Sequence, residues 1–272
     1  MDGKAEAVKT WSTNPTGWTS AKEFDPGSLE FFVKANKFRD EEEQPWLTEV
    51  VPFVSMSGAR VLEIGFGPGF DAYKFLSNGA VYSGIDLTPE NVVRTKKHLA
   101  YFDLVPDARI GDAEALDFQS ETFDIVYSNG VLHHVPDMAK AFKEANRVLK
   151  KNGRFYVILY HRNSVFYRLS MQAMHYLKGG FLRESVADKL SRIESTGAGA
   201  APIVNVYSRK ELATLLSQTG FSVTSMNVRK CGWDDLPGAS VLGPLYRVIP
   251  KGAYSALGRM FGWYVIAEAT KT

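Results

Sequence analysis

The chain has 272 residues, 45% hydrophobic and 23% charged, proportions that suit one large or two small folded domains and exclude a disordered or fibrous chain. Thirty-two Lys and Arg against 30 Asp and Glu leave a formal charge of +2, which disfavours a general nucleic-acid binder or a polybasic membrane binder. A single cysteine, Cys231, rules out an internal disulfide and a cysteine cluster for zinc, and fits a reducing compartment.

The first ten residues, MDGKAEAVKT, lack the apolar run of a secretion signal. No uninterrupted apolar stretch approaches the roughly 20 residues of a membrane-spanning helix, so a cytoplasmic protein is expected. Residues 1–50 carry Trp11, Trp18, Phe24, Phe31, Phe32 and Trp46 ahead of the first core strand and are expected to form a helical lid. Ala59 to Ile64 reads as a strand, followed by a glycine-rich turn and a helix through Asp71 to Leu76. Ala80 to Ile85 is a second strand. Thr88 is placed to cap the next helix and Pro89 suits its first position, so a helix is expected from Pro89 to Tyr101. Phe123 to Tyr127 is another strand. Asp137 then precedes Met138, Ala141, Phe142, Ala145, Val148 and Leu149 at helical spacing, and Asn152-Gly153 is expected to stop that helix.

Phe155 to Tyr160 is apolar on both faces, as a central covered strand would be. Residues 162–205 exceed an ordinary connection and predict an inserted helical cap before a helix starting near Ser208. Phe221 to Val228 and Trp263 to Ala267 complete the strands, and the 34 residues between them are expected to border the substrate pocket. Four parts follow: a lid over 1–50, a ligand-binding core over 51–161, the cap over 162–205, and the rest of the core over 206–272. Strands alternating with helices imply right-handed crossovers and an α/β, doubly wound, mostly parallel sheet. Ligands of such sheets bind beyond the carboxyl ends of the strands, which directs attention to the loops after Ile64, Ile85, Tyr127 and Tyr160.

Glu63-Ile64-Gly65-Phe66-Gly67-Pro68-Gly69 places three alternating glycines between a strand and a helix, where backbone must bend with positive φ or approach a ligand closely. A dinucleotide fingerprint needs its third glycine at position 70, which is Phe70, and no Gly-Lys-Ser or Gly-Lys-Thr follows Gly69 to make a phosphate-binding loop. The segment resembles the first motif of the class I S-adenosylmethionine-dependent methyltransferases. Asp86 ending the second strand, Gly111-Asp112-Ala113-Glu114 after the third, and Asp124 to His134 around the fourth extend the resemblance over Arg60 to Tyr160, within the group that methylates small molecules.

The resemblance implies a seven-stranded sheet with an antiparallel last strand and S-adenosylmethionine as cofactor. It assigns Glu63, Gly65, Phe66, Gly67, Gly69, Asp86, Leu87, Asp112, Ala113 and Asn129 to the cofactor site. Asp86 would accept the ribose hydroxyls, Asp112 the adenine amino group, and the Ala113 amide would meet an adenine ring nitrogen. The bland alternatives are that Glu63 bonds its own loop, that Asp86 and Asp112 cap helices, and that Asn129 satisfies a turn.

Methyl transfer is an in-line displacement, so alignment and exclusion of water dominate. A hydroxyl or ammonium acceptor also needs a base. His133, His134, Tyr160 and His161 are the candidates, and no metal is expected, because no cysteine or carboxylate stands at a zinc-motif spacing from the histidine pair. The loop Asn129-Gly130-Val131-Leu132 lacks the Pro-Pro-aromatic sequence of enzymes that methylate base or glutamine amines. A small-molecule acceptor is therefore expected, with no nucleic acid. A nicotinamide-dependent oxidoreductase and a non-catalytic cofactor-binding module are the competing classes. The acceptor atom and the oligomeric state stay open.

Overall fold

The computed structural model describes residues 3–195 and 197–272, so positions 1 and 2 of the expected lid and 196 of the expected cap lie outside it. The amino-terminal stretch is helical: α1 (Gly3–Thr13), α2 (Trp18–Ala21), α3 (Leu29–Phe38), a wider helical turn over Arg39–Glu43, and α4 (Leu47–Val50). Ser28 starts α3 by accepting the Phe31 amide at 3.1 Å. Phe31, Phe32 and Ala35 then lie on one face, and Phe32 packs against Phe70 at 5.3 Å and His98 at 4.8 Å between ring centroids. Burying each phenylalanine contributes about 1.5–3 kcal/mol, which fastens this segment to the core.

The core runs β1 (Arg60–Ile64), α5 (Phe70–Ser77), β2 (Val81–Asp86), α6 (Pro89–Ala100), β3 (Asp107–Ile110), β4 (Phe123–Asn129), α7 (Met138–Val148) and β5 (Leu149–Tyr160). After the inserted α8 (Met174–Leu177) and α9 (Val186–Glu194) come α10 (Arg209–Gln218), β6 (Phe221–Arg229), α11 (Ala239–Tyr246), α12 (Lys251–Phe261) and β7 (Tyr264–Lys271). The seven strands make one sheet in the order β3-β2-β1-β4-β5-β7-β6, parallel except that β7 runs antiparallel to both neighbours. Side-chain alternation splits the core. Leu62, Val126, Phe155 and Val157 face α7 and α10, while Val61, Tyr127, Tyr156 and Ile158 face α5 and α4. The sheet is covered on both sides, which is why its central strands read as continuous apolar runs.

Two local expectations need correction. The helix that Asn152-Gly153 was expected to stop ends at Val148, because Leu149 is buried and pairs at once with Phe123 in the sheet. Asn152, at φ 61°, instead turns the chain inside β5, where the register jumps from Phe123–Leu149 to Ile125–Arg154. Thr88 makes no side-chain cap for α6. The Asp86 carboxylate instead accepts Thr88's own amide at 2.8 Å, just ahead of that helix. Ser208 caps α10 reciprocally with Glu211, as its position before that helix suggests.

Candidate active site

A cleft of about 1000 Å³ opens at the carboxyl ends of β1, β2, β3 and β4, roofed on one side by Lys4, Ala7 and Trp11 of α1. Its floor is the glycine loop. Gly65, Gly67 and Gly69 have φ of 79°, 54° and 92°, a region open to glycine at no steric cost. A Cβ on Gly65 would run into the Val131 side chain. The loop is held from behind: the Gly67 carbonyl accepts the Thr95 hydroxyl at 2.7 Å, and His98 Nδ1 lies 3.0 Å from the Pro68 carbonyl. Phe70, where a dinucleotide site needs glycine for close helix packing, is the first residue of α5 and packs on α3.

Of the residues assigned to the cofactor, Glu63, Gly65, Phe66, Gly67, Asp86, Leu87, Asp112, Ala113 and Asn129 line the cleft. Gly69 does not; it stands at the start of α5, with its Cα against Thr95. The Asp86 carboxylate accepts the amides of Gly67 and Thr88, both at 2.8 Å, so it braces the loop as well as facing the cleft. Burial pushes its carboxyl above the ordinary range, and these donors offset part of that rise. Glu63 is buried at the end of β1 and accepts the Tyr82 hydroxyl at 2.8 Å. Burial, and then the nearby Asp71 charge, push the Glu63 carboxyl well above its usual value. Asp112 accepts the Glu114 amide at 2.9 Å and pairs with Lys4 at 2.7 Å, which ties α1 to the third strand's loop.

Arg39, Asp71, Lys4 and Glu194 were not singled out by the sequence reading. Arg39 and Asp71 line the cleft and form a buried two-pronged ion pair, both N–O distances 2.6 Å. Tyr127 donates to Asp71 at 2.7 Å, and the Asn129 amide donates to it at 3.2 Å and to Gln44 at 2.8 Å. Burial alone would raise the Asp71 carboxyl, but the Arg39 guanidinium holds it well below the usual carboxylate range. An arginine and an aspartate 32 positions apart carry no local pattern that joins them.

Among the candidate bases only His134 lines the cleft. Its Nδ1 lies 2.6 Å from the Ile203 carbonyl, an acceptor only, so Nδ1 carries the proton and Nε2 the lone pair. Nε2 is buried without a hydrogen-bond partner and stands 3.9 Å from Glu194 Oε1. Tyr160 donates to that same Glu194 oxygen at 2.6 Å. Burial pushes His134 down to about 4 and Glu194 up to about 7, the latter against the Tyr160 hydrogen bond and with Glu43 adding to the rise. The His133 ring lies tilted between those of His134 at 4.1 Å and Tyr160 at 4.0 Å, with neither of its ring nitrogens bonded. The structure does not bring His161 to the cleft: its Nδ1 faces the Gly262 carbonyl at 3.0 Å, where it joins the ends of β5 and β7. No residue of the connection from 230 to 262, expected beside the substrate pocket, lines the cleft. Among the described residues no three His, Cys, Asp or Glu side chains are grouped as metal ligands.

Residues 62–157 match the family model described as a methyltransferase domain. The chain is 38% identical over 101 residues to the uncharacterized methyltransferase YcgJ of Bacillus subtilis, covering 36% of this chain and 40% of that one. It is 33% identical over 125 residues to the ubiquinone biosynthesis O-methyltransferase of Xylella fastidiosa, covering 46% and 51%. The chain thus spans about half or less of the length of these curated relatives. A crystal structure of an S-adenosylmethionine-dependent methyltransferase from Mesorhizobium loti superposes with a TM-score of 0.55 at 17% identity, over 84% of this chain and 97% of that one, a likeness of fold. The strand order, the glycine loop and the matched segment agree: over residues 62–157 the chain matches a methyltransferase domain.

Proposed function

We propose that this protein transfers a methyl group from S-adenosylmethionine to a small-molecule acceptor. The donor set of the cleft carries the reading. Carboxylates Glu63, Asp86 and Asp112 stand at the ends of three adjacent parallel strands around an open glycine loop, and the two cations lining the cleft, Lys4 and Arg39, are already paired with carboxylates. A pyrophosphate calls for cations and backbone amides. A ligand with a sulfonium, an ammonium and a ribose diol calls for carboxylates, so these residues fit S-adenosylmethionine. When bound, it supplies a methyl group made electrophilic by the sulfonium.

In this reading Asp86 takes the ribose hydroxyls, Asp112 and the Ala113 amide take the adenine, Glu63 faces the ammonium, and Asn129 walls the methionine end. Phe66 and Leu87 line the cleft as apolar surface. Gly69 acts through the loop it closes. Alpha-helix α1 excludes water, which strengthens each of these interactions. His134 is the base for an acceptor that must lose a proton; Tyr160, His133 and Glu194 position it. The relative named for ubiquinone biosynthesis supports a small acceptor.

Purified protein incubated with S-adenosylmethionine and separate hydroxyl, amine and thiol acceptors is expected to release S-adenosylhomocysteine with one of these classes. Binding without release from any acceptor would leave a cofactor-binding module, and absence of binding would remove the cofactor from the cleft. Asp86→Ala is expected to weaken S-adenosylmethionine binding by about 1–3 kcal/mol, because two hydroxyls lose a charged acceptor. Asp86 also braces Gly67, so Asp86→Asn, which keeps one acceptor oxygen, should lose less. Equal affinity for all three proteins in calorimetry would take Asp86 out of the site.

A further inference from the structure

The balanced overall charge conceals a segregated surface. Residues 162–183 contain Arg162, Arg168, Lys178 and Arg183, and residues 236–261 contain Arg247, Lys251 and Arg259, with no Asp or Glu in either stretch. These two segments also hold twelve of the 22 large hydrophobic side chains that the described residues leave exposed, which marks them as something other than ordinary solvated surface. Leu177, Leu182, Val241 and Val248 are each 78–80% exposed, and within α11 only Gly243 is buried. An apolar helix that packs on its own domain only around Gly243, against Trp233, leaves its other apolar side chains to another apolar phase.

The two segments form one surface. Ser170 donates to the Asp235 carbonyl at 2.6 Å, at the entrance of the second segment, and Tyr254 of α12 donates to the Tyr246 carbonyl of α11 at 2.7 Å. Both leave the sheet at the end where β5 finishes and β7 begins, the same end that carries the cleft. Lys178, Arg183, Arg247 and Arg259 form no ion pair among the described residues, and Arg247 lies over the Trp233 ring at 4.2 Å. A second copy of the chain would bring like charges face to face. An anionic surface with an apolar interior answers both the charge and the exposed leucines and valines.

We propose that residues 162–183 and 236–261 seat the protein on an anionic phospholipid bilayer, lying on it rather than crossing it. No helix among the described residues is long and apolar enough to span a membrane. The test uses the full chain and no turnover, so it stands apart from methyl transfer. In flotation with vesicles, binding to phosphatidylglycerol–phosphatidylcholine mixtures should exceed binding to pure phosphatidylcholine at least tenfold and should fall with added salt. Leu177→Glu with Val248→Glu should abolish flotation while leaving thermal unfolding unchanged, since both side chains are exposed. Val105→Glu, on an exposed residue 89% accessible outside both segments, should leave flotation intact. Equal binding to neutral and anionic vesicles, or none to either, would overturn the proposal. A concentration-dependent dimer in sedimentation that Leu177→Glu with Val248→Glu dissolves would assign the surface to a second copy and overturn it too.

Discussion

Arg39→Ala is expected to lower the unfolding free energy by about 3–5 kcal/mol, the cost of leaving a buried charge without its partner. Asp71 would retain the Tyr127 hydroxyl and the Asn129 amide, but its nearest remaining cation is Lys74 at 3.8 Å. A loss this large reflects an abandoned carboxylate more than the worth of the pair. Removing both charges, as in Arg39→Met with Asp71→Leu, should therefore cost much less than the two single changes summed. Urea unfolding of the three variants measures this, and a loss below about 1 kcal/mol for Arg39→Ala would show that the Asp71 environment accommodates the bare carboxylate. The pH dependence has a definite sign. Asp71 is held below the usual carboxylate range in the folded chain, so its contribution is present above the ordinary aspartate value and is lost as acid protonates the folded carboxyl. Because Arg39 opens the turn after α3 and Asp71 belongs to α5, the same variant should loosen the hold of that turn on the cleft wall.

How much of this was legible in the sequence depended on the range of the interaction. Strand, glycine loop and helix from Arg60 to Ser77 are set by residues within a few positions of one another, and alternation plus glycine placement expose them. Ser208 before α10 is a signal of the same kind. Thr88 failed because its side chain takes no amide of the first turn of α6, while Asp86, two residues earlier at the end of the preceding strand, accepts Thr88's own amide. Asn152-Gly153 marks a turn correctly but not what the turn interrupts: pairing of Leu149 with Phe123 had already ended the helix. Arg39–Asp71 and Tyr160–Glu194 join residues 32 and 34 positions apart through the tertiary fold, and no periodicity links them. Glu194 lies in the insertion, beyond the segment that matches the family, so neither motif nor relative pointed to it.

The effect on turnover of replacing His134 should be the largest of any single change in the cleft. Its proton is fixed on Nδ1 by the Ile203 carbonyl, its Nε2 lone pair has no partner, and burial keeps it neutral down to about pH 4. The ring lines the cleft, so an acceptor that reaches its buried Nε2 meets a neutral imidazole able to take a proton at any ordinary pH, and loss of such a base costs about 10²–10⁴-fold in rate. The imidazolium formed in that step would be buried, and Glu194 at 3.9 Å is the group placed to stabilise it. Glu194 titrates at about 7, so the stabilising carboxylate is present above that pH and absent below it. With an acceptor that must lose a proton, kcat should rise through about pH 7 to a plateau. His134→Ala should lower kcat across the whole range. Glu194→Gln should lower the plateau and erase the rise, while KM for S-adenosylmethionine stays near its original value, because Glu194 does not line the cleft. Glu194→Asp should restore part of the plateau. A Glu194→Gln profile that keeps the rise would take the carboxylate out of the proton transfer, and an undiminished kcat in His134→Ala would leave the acceptor to ionise without help from the protein.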